Sequence, residues 1–161
     1  MDTLLTQLNI MLDGLKKKEK ALEELLAITE NQQTVLKSEL PLEEVRALIY
    51  PMNQGKQDAI IIIKECDNMF EAMLKEMGAE LDAKQHLYKS QVKSMQDHIR
   101  NIMDLDVKVR VAEEENNRIL DERRNAESPT SNGLKAKPTP IIADSNRVIK
   151  AYEQGSKNYK G

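Results

Sequence analysis

Apolar residues return at Leu4, Leu8, Met11, Leu12, Leu15, Leu22, Leu25, Leu26 and Leu36, mostly in steps of three and four that gather them on one side of a helix. Charges such as Lys16, Lys17, Glu23 and Glu24 fill the other side. The pattern predicts a helix from Asp2 to Lys37, about 50 Å long, in which Gly14 costs about 1 kcal/mol relative to alanine. The run SELP stops it, with Ser38 suited to a cap and Pro41 to the first turn of a second helix. That helix is predicted from Leu42 to Met77, closed by Gly78 and kinked or broken near Tyr50 to Gly55, because Pro51 removes a hydrogen bond from its interior. A short connection turns the second helix back on the first.

A third helix is predicted from Leu81 to Asn125. Its seam reads Tyr88, Val92, Met95, Ile99, Ile102, Asp106, Val109, Glu113, Asn116 and Leu120, alternating steps of four and three with polar residues at three positions. Those interruptions predict a weakened last third, with either fewer partners or a mobile end that faces water. Beyond it Pro129, Ser131, Gly133, Pro138 and Pro140 exclude a continuous helix. Asp144 then suits an N-cap, and Val148, Ile149 and Tyr152 share one face of a short helix. The expected fold is all-α: an elongated antiparallel bundle of three long, coiled-coil-like helices (residues 1–126), a flexible linker (127–143) and a short amphipathic C-terminal helix (144–161). A helix that short forms fully only when its apolar face is covered.

Composition agrees with thin helical seams rather than a thick core, since aromatics are 3% and charged residues 32% of 161 positions, with eight methionines. The net charge of −3 offers no general reason to expect nucleic acid. The charge is divided, however: residues 127–161 hold six Lys or Arg against three Asp or Glu, so the tail is basic and the body acidic. Attachment to a membrane surface through the tail would ask for a denser basic cluster or a longer apolar face. The longest apolar run, Ala59 to Ile63, is far too short to span a bilayer, and the first residues lack the pattern of a signal peptide. With Cys66 as the single cysteine, a soluble, cytoplasmic protein is expected.

Candidate chemistry is sparse. His86 and His98 stand about 18 Å apart along one predicted helix, too far to share a metal. Asp97 and His98 are adjacent and point about 100° apart, which does not make an acid–base pair. Cys66 lies in an apolar stretch that suits burial, the glycines form no phosphate-binding loop, and Glu113 to Glu115 read as a solvated face. Met69, Met73 and Met77 form a stripe that suits core filling, or an adaptable groove. No enzyme activity, cofactor or metal is expected.

The positions Leu4, Leu8, Leu12, Leu15, Glu19, Leu22, Leu25, Leu26, Gln32, Gln33 and Leu36 together resemble the opening helix of the FlgN family of bacterial flagellar export chaperones. In that family an apolar helix carries a Glu, then a Leu-rich turn and a polar Gln-containing turn. The second helix is similar in its Leu and Val pattern, in Lys56 and in its later apolar run. The resemblance covers roughly residues 1 to 126 and is one of pattern, without a diagnostic motif. It implies a cytoplasmic type III export chaperone that holds the C-terminal segments of hook-associated flagellar proteins and delivers them to the export apparatus.

An incompletely filled seam would offer such a segment a groove, and the candidate partner-binding residues are Ile99, Ile102 and Val109 in the body with Val148, Ile149 and Tyr152 in the tail. The tail has three roles open to it: covering the groove, docking on the export machinery, or packing on the body as a fourth helix. A homodimer is open too, as is the rival class, a homo-oligomeric coiled-coil scaffold or adaptor without a secreted client.

Overall fold

The first helix starts where a carboxylate can serve a free backbone donor. In the computed structural model, which describes residues 2–127, Asp2 accepts a hydrogen bond from the Leu5 N–H at 3.1 Å and α1 runs over Thr3–Leu36. Its far end closes through Lys37 N–H on the Gln33 carbonyl and the Ser38 hydroxyl on the Val35 carbonyl, at 2.9 and 2.6 Å. Ser38 therefore caps the end of α1, while Pro41 stands at the start of α2, where its missing N–H leaves no gap.

Helix α2 spans Leu42–Lys84, longer than the sequence pattern suggests, and passes through both expected interruptions. Pro51 does not break it; the proline is exposed, with no described neighbour packed over it. Gly78 does not stop it either, because no described glycine takes the left-handed conformation that such a stop uses. The buried stripe simply continues through Met77 and Leu81, 2% and 0% exposed, and carries the helix with it. A single 3-10 turn, Gln85–Leu87, reverses the chain, so α3 begins at Lys89 and runs to Glu127. Among the described residues the fold is wholly helical, a bundle of three long helices.

Helix α1 is the shared partner, packed along both α2 and α3. Lys18 meets Asp67 and Gln32 meets Asn53, so numbers on α2 fall as those on α1 rise. On α3 they rise together, Glu19 meeting His98 and Thr29 meeting Glu113. The expected seam of α3 is the buried one from Val92 to Asn116; its last member is Ile119 instead of Leu120, which is half-buried. Each end of the bundle is tied by α3 or the turn before it. The Tyr88 hydroxyl donates to Asp2 at 2.5 Å, and Arg123 donates to the carbonyls of Leu36 at the end of α1 and of Ser38 and Leu40 in the turn that follows. The linker and C-terminal helix expected over residues 127–143 and 144–161 lie, but for Glu127, outside the described residues.

Two interior glycines differ in what surrounds them. A Cβ at Gly14 would collide with the terminal methyl of Met69, whereas one at Gly78 meets nothing within 4 Å. Gly78→Ala should therefore stabilise the protein by about 1 kcal/mol through helix propensity alone. Thermal unfolding followed by circular dichroism should show a melting temperature raised by a few degrees.

Candidate partner-binding groove and the polar interior

The flanks of α1 and α3 face each other along a furrow on the outer side of their seam. On α1, Leu26, Glu30 and Gln33 succeed one another at steps of four and three; on α3, Val107 and Val111 stand one turn apart, followed by Glu114, Glu115 and Arg118. The groove measures about 700 Å³, and no residue of α2 lines it. Its apolar floor is open, since Val107 and Val111 are 49% and 59% exposed. Arg118 is held at one end by Glu115 at 2.5 Å and by Glu122. Hydrogen bonding to Arg118 keeps the Glu115 carboxyl below its usual range, and the two acids keep the guanidinium charged.

The structure turns Ile99, Ile102 and Val109 inward rather than onto this groove. They are at most 1% exposed, and their apolar area is spent within the bundle. The seam expected to be incompletely filled is filled, and the open surface lies one helical step aside, at Val107 and Val111. Val148, Ile149 and Tyr152 lie outside the described residues.

The polar seam positions do not thin the packing, as expected from sequence, but join two buried layers. In the first, Lys18 is 0% exposed and its Nζ lies 2.5 Å from Asp67 Oδ1, with Asp106 and Arg110 nearby. Burial lowers the Lys18 pKa, against the attraction of Asp67. Burial also pushes the Asp106 carboxyl up to about 6, with Lys18 opposing and Asp67 reinforcing the shift, and among the described residues Asp106 Oδ2 has no hydrogen-bond partner.

In the second layer Lys56 of α2 is 1% exposed and bonded to Glu113 of α3 and, at 2.9 Å, to Gln32 of α1. Gln32 also donates to Asn53 at 2.8 Å, Thr29 bonds Glu113 at 3.2 Å, and Asn116 donates to the Thr29 carbonyl at 2.9 Å. Glu113 is thus a buried counter-ion and not part of a solvated acidic face. Lys18 and Lys56 were the residues that apolar counting passes over. The signal for Lys18 was register: Leu15, Lys18, Leu22, Leu25, Thr29, Gln32 and Leu36 keep the three-four step unbroken.

The remaining titratable candidates serve the architecture. His98 Nδ1 lies 2.6 Å from Glu19, which also accepts from Asn101, and so links α1 to α3; Asp97 pairs with Arg100 instead. Cys66 is buried, which raises its pKa. Among the described residues no cluster of His, Cys, Asp or Glu could hold a metal ion, and no helix is long and apolar enough to cross a membrane. Compared with models of protein families, with characterised proteins and with solved structures, the chain matches none.

Removing one partner of a buried ion pair strands the other. Lys56→Met should cost about 3–5 kcal/mol, and adding Glu113→Leu should recover much of it; urea unfolding of both variants checks this.

Asp106 provides a pH test with an unusual sign. Its pKa is about 6 folded and 3.8 ordinarily, so between those values the folded chain holds the extra proton. Its cost is complete above pH 6 and shrinks as pH falls toward 4, by up to about 3 kcal/mol. Asp106→Asn should therefore stabilise at pH 7 and change little at pH 4, read as the difference in unfolding free energy between variant and wild type.

Proposed function

We propose that this chain is a binding protein of the export-chaperone type, its α1–α3 groove receiving an amphipathic C-terminal segment of a secreted protein. The observation that carries this reading is the apolar strip of exposed Val107 and Val111 beside half-buried Leu26, between charged edges, the form of site into which a partner helix lays its apolar face. The pattern resemblance of α1 and α2 to the FlgN family supports the finer statement: a cytoplasmic flagellar type III export chaperone for hook-associated proteins, built as an antiparallel, coiled-coil-like body with an amphipathic tail. A segment that orders only on binding gives up part of its interaction energy to that ordering, which keeps the complex reversible.

A scaffold that assembles with itself is the second reading. It is favoured by Tyr50 and Ile61, 80% and 55% exposed and turned to nearly the same side of α2. Sedimentation separates the two, because a scaffold self-associates with rising concentration whereas a chaperone gains a client at one-to-one stoichiometry.

Peptides from the C-termini of hook-associated proteins should bind the full chain. Val107→Asp together with Val111→Asp should weaken that binding at least about tenfold, since each loses a buried apolar contact worth about 1–2 kcal/mol. Helicity should not change, both side chains being exposed. Titration calorimetry reads the effect, and equal affinity for the variant would remove the groove from the reading.

A further inference from the structure

We infer that the α1–α3 groove is also the seat of this chain's own C-terminal segment, residues 144–161. Three observations converge on that occupant. The first is shape: the floor is a short apolar strip, Leu26 with Val107 and Val111, and the segment carries an apolar set of matching extent, Val148, Ile149 and Tyr152, at the spacing of one helical face.

The second is charge. Three carboxylates, Glu30, Glu114 and Glu115, edge the groove beside two cations, Lys108 and Arg118, a modest acidic excess; Arg118 is paired with Glu115 and Glu122, which leaves Glu30 and Glu114 to meet a basic segment. Arg147 and Lys150 flank the apolar set, within a stretch 128–161 that holds six basic and two acidic side chains. Opposite charges at the rim orient such a segment and speed its docking.

The third is reach. The groove lies on the same helix that leads into the tail, with Val111 about 24 Å back from Glu127 at 1.5 Å per residue. Residues 128–143 can span about 50 Å when extended, ample for the return. A tether of that length presents the segment at an effective concentration on the order of millimolar. Even an intrinsically weak contact is then well occupied. The segment covers an apolar strip that would otherwise face water, and any external helix entering the groove must displace it.

The inference is tested without any client, so it stands or falls separately from the proposed function. In the full chain with Cys66→Ala, a nitroxide is attached at Gln154→Cys and methyl resonances are followed by NMR. Those of Leu26, Val107 and Val111 should lose intensity while those of Leu48 and Ile61, exposed on α2, keep theirs. Adding Val148→Ser, Ile149→Ser and Tyr152→Ser should restore the lost intensity, and so should Arg147→Glu with Lys150→Glu at low salt. Uniform broadening over both helices would overturn the inference. Broadening that disappears when labelled chain is diluted into unlabelled chain would overturn it too, because the occupant would then be a second copy.

Discussion

Every helix of this bundle must bring its charges to the same depth as its neighbours' charges. Lys18 and Lys56 are wholly buried on different helices, and an unpaired buried cation costs several kcal/mol. Lys18 is answered by Asp67 on α2, and Lys56 by Glu113 on α3 with Gln32 on α1. Sliding any one helix by a turn keeps leucine against leucine but strands at least one of these ions. The apolar residues thus make the helices associate, and the two polar layers select the alignment in which they do.

The same arrangement explains where the outer surface opens. Because the inward positions of α3 advance through Asp106, Val109 and Glu113, the residues beside them, Val107 and Val111, are carried onto the flank. They face Leu26 and not Leu25, which is 2% exposed in the core. A surface for a partner and a filled interior can therefore occur on one helix, one residue apart.

Most of the architecture was legible in the three-four spacing, which places the α1 ends within a residue and the α3 seam from Val92 to Asn116. It failed where local propensity was set against tertiary burial. Pro51 and Gly78 are poor helix residues, yet α2 runs through both, because burial on either side, at Val45, Ala59, Met77 and Leu81, outweighs a local cost of a few kcal/mol. The groove was less legible. Nothing in the local sequence separates Val109 from Val107; only the partner helix decides which is covered. Polar residues at seam positions were visible, but whether Asp106, Glu113 and Asn116 loosen a seam or link it depends on Lys18, Lys56 and Thr29, which lie far away in the chain.

Arg123 reaches the carbonyls of Leu36, Ser38 and Leu40 where α1 gives way to α2, and Glu113 reaches Lys56, both from α3, the last in chain order of the described helices. Of these contacts, Lys18–Asp67 lies within α1 and α2, whereas without α3 Lys56 would keep only the neutral Gln32 and the carbonyls at the α1–α2 turn would lose Arg123. The α1–α2 hairpin is therefore incomplete without α3. Completion depends on the later turns of α3, so a chain that ends before residue 113 would leave Lys56 without its carboxylate, the α1–α2 turn without Arg123, and part of the α1 seam exposed, the kind of surface on which incomplete chains aggregate.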